Sequence, residues 1–124
     1  MKLYHGTNDS RARIILKEGL KPMPINLRIW NKGGISKSRP TQRDRYVYLT
    51  RSLILALSYA KKAASKESCF PAILTVELPH TDNLRVDDDY LRISNPLDYK
   101  NWETSFLTMD QVAHEGEIQP NYLT

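Results

Sequence analysis

The strongest local pattern in the sequence is a β-strand that leads directly into a helix. Residues 46–50 read Tyr-Val-Tyr-Leu-Thr, aromatic and β-branched residues that favour an extended chain. Residues 52–66 follow with apolar side chains at helical spacing, and lysines are concentrated towards the end of this segment. The same order occurs at the N-terminus, where residues 3–5 predict a strand and a helix follows that ends at Gly19. The first half of the chain therefore predicts two strand–helix units.

The second half of the chain is mostly strand-like. Residues 72–78 predict a buried strand, and residues 83–93 give a weaker strand signal. Residues 94–109 are expected to form a loop, because Asn95-Pro96 begins them. Residues 111–114 and 118–123 predict two strands joined by a turn at Glu115-Gly116-Glu117. Two main helices with several strands predict an α+β fold.

The size and composition indicate one domain over residues 1–124. The chain has 124 residues, of which 40% are hydrophobic, enough for a single core. The lone Cys69 excludes an intramolecular disulfide. No apolar run reaches the length of a membrane span, and the N-terminus has no signal-peptide pattern. We therefore expect a cytoplasmic monomer that does not bind membranes.

Charge is divided unequally between the two halves. Residues 1–66 hold 15 basic and 3 acidic residues, a net charge of +12, whereas residues 67–124 hold 3 basic and 11 acidic residues, a net charge of −8. A strongly basic half indicates a polyanionic partner or a phosphate-bearing ligand, unless the two halves pair their charges in space.

The common catalytic motifs are absent. One cysteine and three scattered histidines give no metal-ligand spacing, and the sequence has no P-loop, dinucleotide-binding glycine motif or nucleophile elbow. We therefore expect no metal. The remaining candidates are polar groups near strand ends, namely His5-Gly6-Thr7, the tyrosines Tyr48 and Tyr59, and the segment 110–117.

Four ordered segments resemble the ADP-ribosyltransferase fold of the histidine–tyrosine–glutamate type, which includes poly(ADP-ribose) polymerases and diphtheria-like toxins. They are Leu3-Tyr4-His5-Gly6-Thr7, Lys17-Glu18-Gly19-Leu20-Lys21-Pro22, the pair Val47-Tyr48-Leu49-Thr50 and Ala56-Leu57-Ser58-Tyr59-Ala60, and Ile118-Gln119-Pro120-Asn121-Tyr122-Leu123. The resemblance covers nearly the whole chain. It implies a split β-sandwich of two sheets, with two main helices and NAD as co-substrate in the cleft between the sheets.

The resemblance also implies roles for individual residues. His5 would bond a ribose hydroxyl of NAD, the backbone of Gly6 would bind the nicotinamide amide, and Thr7 belongs to the same NAD-binding segment. Tyr48 and Tyr59 would hold the nicotinamide ring between them, at the eleven-residue separation of the polymerase branch.

The catalytic glutamate of the family has no direct counterpart. One alignment places Asp110 at its position, and counting back from the last predicted strand places Gln111 there. We favour Asp110, because a carboxylate can stabilise the positive charge that develops as nicotinamide leaves. Glu115 and Glu117 lie at the predicted turn and are expected to be solvated.

Two predicted loops flank this site. The basic loop 21–45 corresponds to the segment that covers the NAD diphosphate, so its arginines are candidates for phosphate contacts: Arg28, Arg39, Arg43 and Arg45. Loop 94–109 corresponds to the segment that presents the acceptor, where aromatic side chains can stack on a base or anchor the loop: Tyr99, Trp102 and Phe106.

The resemblance predicts a mono-ADP-ribosyltransferase that acts on a macromolecule, either protein, DNA or RNA, as a bacterial or phage toxin, effector or defence protein would. One alternative is an enzyme similar to tRNA 2′-phosphotransferases, because Arg45-Tyr46-Val47-Tyr48-Leu49-Thr50 resembles their Arg-x-x-Val-His-Leu-Ser segment. Another is a module that binds NAD or ADP-ribose with little catalysis, which the missing glutamate favours.

Overall fold

The computed structural model describes residues 1–22, 46–87 and 101–124. Its strands are β1 (Lys2–Asn8), β2 (Tyr46–Thr50), β3 (Pro71–Glu77), β4 (Leu84–Arg85) and β5 (Gln111–Glu115). Its helices are α1 (Asp9–Glu18), α2 (Leu53–Glu67) and α3 (Trp102–Met109), and a 3-10 turn spans Pro120–Tyr122. The fold is α+β, as the sequence predicts.

The strands form one antiparallel sheet in the order β3-β1-β2-β5-β4. Alternating positions of the central strands supply the core on one face, while the other face carries α2. Ile15 of α1, together with Trp102 and Phe106 of α3, packs against that core. The buried cluster consists of Leu3, Leu20, Val47, Leu49, Val76, Leu78, Leu84, Val112, Ile118 and Leu123.

Helix α2 lies close to the sheet because its inner face is built from alanines. Ala56, Ala60 and Ala64 recur every four residues and are buried. The side chain of Ser52 caps the helix by accepting from the backbone N–H of Leu55 at 3.2 Å. With no side chain larger than a methyl group on this face, the helix backbone can approach β1 closely.

Two predicted elements differ from the structure. Residues 94–109 were expected to form a loop, but Trp102–Met109 is helix α3. Trp102 and Phe106 are one helical turn apart and make an edge-to-face contact at 5.6 Å, so both lie on the side that packs against the core. Residues 118–123 were expected to form a strand, but only Ile118 and Leu123 make isolated bridges, with the 3-10 turn between them. Pro120 suits the start of that turn because its φ is fixed.

Candidate functional site

Strands β1 and β2, in the middle of the sheet, share very little backbone pairing. β1 pairs with β3 over seven residues and β2 pairs with β5 over five. Between β1 and β2 the register contains one pair, Tyr4 with Thr50. We call the unpaired stretch beyond it, between residues 5–8 of β1 and residues 46–49 of β2, the seam. The seam separates the β3-β1 half of the sheet from the β2-β5-β4 half.

Gly6 directs its backbone groups into the seam. Met1 and Leu78 exchange two backbone hydrogen bonds of 2.9 Å at the start of the β1–β3 pairing. Such bonded pairs alternate along an antiparallel ladder, so odd-numbered residues of β1 bond β3 and even-numbered residues point towards β2. The N–H and C=O of Gly6 therefore face β2, on which Gly6 has no register partner.

His5 connects the two sides of the seam through its side chain. Its Nδ1 lies 2.9 Å from the backbone oxygen of Tyr48. Burial lowers the pKa of His5, and the bond to Tyr48 opposes this only in part. The imidazole is therefore neutral near pH 7. Because a carbonyl oxygen can only accept, Nδ1 carries the ring proton and Nε2 is left as an acceptor.

Position 6 requires glycine for a packing reason. A Cβ at Gly6 would lie 2.1 Å from the backbone oxygen of Ala56 and 2.8 Å from the backbone nitrogen of Ala60. Both distances are far inside van der Waals contact with the backbone of α2. Sequence reasoning attributed this glycine to the approach of a ligand, but the approach of α2 is sufficient to require it.

Tyr59 and Gln111 are bonded on the α2 face of the sheet, the face that also carries Tyr48. Register pairing of Thr50 with Gln111 puts Gln111 on the same face as Tyr48, two residues from Thr50. Tyr59 lies on α2, and its hydroxyl donates to Oε1 of Gln111 at 2.9 Å. The polar groups predicted separately on β2, α2 and β5 thus share one face of the sheet.

Asp110, the neighbour of Gln111, has different partners. It ends α3 in the left-handed conformation, with φ of 60°. Its Oδ1 accepts from Nε of Arg51 at 2.6 Å, and the Arg51 guanidinium lies 4.7 Å from the centre of the Phe106 ring. Its backbone oxygen accepts from the hydroxyl of Thr50 at 2.7 Å. Asp110 therefore fastens the end of α3 to the end of β2, and it is Gln111 whose side chain reaches Tyr59.

Sequence reasoning missed the residues that hold Gln111 in place. The buried hydroxyl of Ser105 on α3 donates to the backbone oxygen of Gln111 at 2.8 Å. Arg51 and Thr50 bind Asp110 from the other side. No local sequence pattern identifies Arg51 as a functional residue. Ser105, next to Phe106, would have been recognised as a helical residue if α3 had been predicted as a helix.

The remaining predicted site residues are Thr7 and several that the structure does not describe. Thr7 is buried in β1 and pairs with Ala72 of β3. Arg28 and Arg45, predicted to contact the diphosphate, lie outside the described residues, as do Arg39, Arg43 and Tyr99. Within the described ranges, no three His, Cys, Asp or Glu side chains are grouped to hold a metal ion. Of the helices described, none has the length and apolar character to cross a membrane.

Comparison with known proteins supplies a structural relationship only. Eleven solved chains match this one. One of them, EcPltA, is 12% identical, with a TM-score of 0.51, over 98% of this chain and 71% of its own. At this identity the similarity shows a shared fold and nothing of activity. No protein-family model matches the chain, and a search of curated proteins gives no match.

Proposed function

We propose that the chain is a mono-ADP-ribosyltransferase that binds NAD at the seam and transfers ADP-ribose to a macromolecule. The observation that carries the proposal is the seam itself. There the backbone of Gly6 faces an unpaired stretch of β2, His5 bonds the backbone of Tyr48 across it, and Tyr59 bonds Gln111 on the α2 face of the sheet. In this proposal the halves on either side of the seam are the two sheets of a split β-sandwich, and NAD lies between them.

The seam suits a carboxamide. A strand residue that faces an unpaired neighbour presents one donor and one acceptor side by side, and a primary amide presents the complementary pair. Nicotinamide carries such an amide on an aromatic ring. Its amide would bond Gly6, and its ring would pack between Tyr48 and Tyr59.

His5 fits the ribose beside the nicotinamide. Its Nδ1 is occupied by the backbone oxygen of Tyr48, which fixes the ring and leaves Nε2 as an acceptor. A ribose hydroxyl can donate a hydrogen bond to that nitrogen. The lowered pKa of His5 keeps this acceptor available at neutral pH.

The chemical step needs no acid at the leaving group. The bond between C1′ of the ribose and the pyridinium nitrogen breaks, and its electron pair neutralises the positive nitrogen as nicotinamide leaves. A nucleophilic atom of the acceptor bonds C1′ and gives its proton to solvent. Positive charge develops on the ribose between these events, where a carboxylate would stabilise it more than the uncharged amide of Gln111. We therefore expect slow turnover.

The other parts of the proposal do not rest on the geometry of the seam. Arg28 and Arg45 remain candidates for the NAD diphosphate. A toxin, effector or defence role and a cytoplasmic location remain expectations from the family resemblance.

A second candidate is a module that binds NAD without cleaving it. The placement of Gln111 supports it, because the nearest carboxylate in sequence, Asp110, is paired with Arg51. Binding and turnover separate the two candidates, since both require NAD to bind and only the enzyme releases nicotinamide.

The test is release of labelled nicotinamide from NAD by the purified chain and by His5→Asn. The asparagine amide nitrogen can replace Nδ1 towards Tyr48, but the variant lacks Nε2. We expect the wild type to release nicotinamide and His5→Asn to do so about 100-fold more slowly, with unchanged unfolding. His80→Asn, at an exposed histidine, is the matched control and should retain wild-type turnover. NAD binding without any release would favour the module, and undiminished release by His5→Asn would contradict the site.

A further inference from the structure

The second half of α2 carries a set of exposed lysines. Lys61, Lys62 and Lys66 are exposed, and among the described residues none of them forms an ion pair. The nearby acid, Glu67, is already engaged by Arg11 and by the amide of Asn8, whose nitrogen lies 2.8 Å away. This end of the helix therefore presents positive charge that no described acid neutralises. We call Lys62 and Lys66, which lie on one side of the helix, the α2 lysines.

The α2 lysines adjoin the proposed NAD site. Residues 59, 62 and 66 are spaced three and four apart, so they lie along one side of the helix. The Lys62 ammonium is 5.9 Å from the centre of the Tyr59 ring, and Tyr59 bonds Gln111. A partner molecule bound along this side of α2 would therefore also lie next to Tyr59, at the proposed NAD site.

The helix dipole accounts for only one of the α2 lysines. Cations favour a helix C-terminus only within its last turn. Lys66 is in the last turn of α2, but Lys62 lies four residues before Lys66. Helical stability is therefore no reason for Lys62.

We propose that this side of α2 binds a single-stranded nucleic acid and, resting on the proposed function, that this strand is the acceptor of ADP-ribose. The α2 lysines would contact successive phosphates, whose charge complements theirs. Tyr59, partly exposed beside them, would offer an unpaired base the ring face that nicotinamide does not occupy. A duplex keeps its bases stacked inside and offers this ring nothing to contact, so we expect single strands to bind more tightly.

Binding is tested without NAD, so that it does not depend on the proposed activity. Fluorescein-labelled single strands of DNA and RNA, about 12 nucleotides long, are titrated with protein at several salt concentrations. Fluorescence anisotropy reports the affinity. Replacing both α2 lysines (Lys62→Gln with Lys66→Gln) should weaken binding at least tenfold and reduce the logarithmic salt slope by about 1.4. Tyr59→Leu should also weaken binding, whereas Tyr59→Phe should not.

The matched control removes two charges near the end of α1: Lys17→Gln with Lys21→Gln. These side chains are also exposed, so a nonspecific charge effect would be equal in both double variants. Equal weakening in the two variants, tighter binding of duplex, or equal competition by poly-glutamate would overturn the binding surface. Binding that behaves as expected, with nicotinamide released but no ADP-ribose on the oligonucleotide, would overturn its role as acceptor. Absence of nicotinamide release would instead count against the proposed function.

Discussion

Two histidines of the sheet share chemistry but differ in what they connect. His5 and His114 both have a pKa lowered by burial, and in both Nδ1 contacts a backbone oxygen. The partner of His114 is Gly116, two residues away in its own turn, at 3.1 Å. The partner of His5 is Tyr48, forty-three residues away across the seam, at 2.9 Å. A histidine that closes its own turn stabilises that turn, whereas one that joins two unpaired strands fixes the width between them.

The glycines beside these histidines show the same contrast. Gly6 follows His5, and a Cβ there would collide with the backbone of α2. Gly116 accepts from His114 and has φ of 85°, and a Cβ at this position would meet nothing within 4 Å. The seam is thus constrained from both sides, by His5 towards β2 and by Gly6 towards α2, while Gly116 lies in a turn with open space beside its Cα.

The largest loss of stability is expected when a side chain is added at Gly6. Gly6→Ala must push α2 away from β1, because backbone atoms cannot rotate aside as a side chain can. We expect a loss of about 3 kcal/mol in the free energy of unfolding, measured by urea denaturation. Gly116→Ala is the matched control and should lose about 1 kcal/mol, the strain of a left-handed alanine. Equal losses at the two glycines would remove the distinction between the seam and the turn.

Substitutions at the two ends of β5 should affect nicotinamide release differently. Gln111 bonds Tyr59, whereas Glu115, at the other end of the same face, forms an ion pair with Arg85. Gln111→Glu restores a carboxylate beside Tyr59, and we expect nicotinamide release to rise about tenfold. Glu115→Gln should leave release unchanged. Asp110→Asn distinguishes the other predicted position, and a greater loss of release in that variant than in Gln111→Ala would show that Asp110 acts in its place.

The smallest predicted effect is the dependence of the free energy of unfolding on pH. A pKa below the ordinary value of 6.5 means that the unfolded chain binds more protons than the folded chain as pH falls through that value. Stability contributed by the neutral histidines is therefore present above pH 6.5 and is lost progressively below it. We expect the free energy of unfolding to fall between pH 7 and pH 5.5, and His114→Gln to reduce that fall. If the free energy of unfolding falls as much in His114→Gln and in His5→Asn as in the wild type, groups other than these histidines cause the fall.

The parts of the fold that local patterns specify could be predicted from the sequence. β2 agrees residue for residue, because Tyr46–Thr50 combines strand propensity with a clear boundary at Ser52. Helix α3 was missed, because Asn95-Pro96 was given more weight than the helical spacing of Trp102 and Phe106. That spacing was a sufficient signal.

The contacts among the predicted site residues depend on long-range pairing. His5 bonds the backbone of Tyr48 and Tyr59 bonds Gln111, but the limited pairing of β1 with β2 depends on long-range register that no local pattern encodes. For the same reason the sequence favoured Asp110, since nothing near it in the chain indicates Arg51 as its partner.

The most direct test of the seam as the nicotinamide site is an NMR titration of the uniformly ¹⁵N-labelled chain with nicotinamide and with NAD. Backbone amide signals of Gly6 and of residues 47–49 should shift with both ligands, because the carboxamide would bond there. The amides of His114 and Gly116 serve as the internal control and should not shift. Saturable shifts at the turn of β5 with none at Gly6, or no shifts at either place at millimolar ligand, would contradict the account.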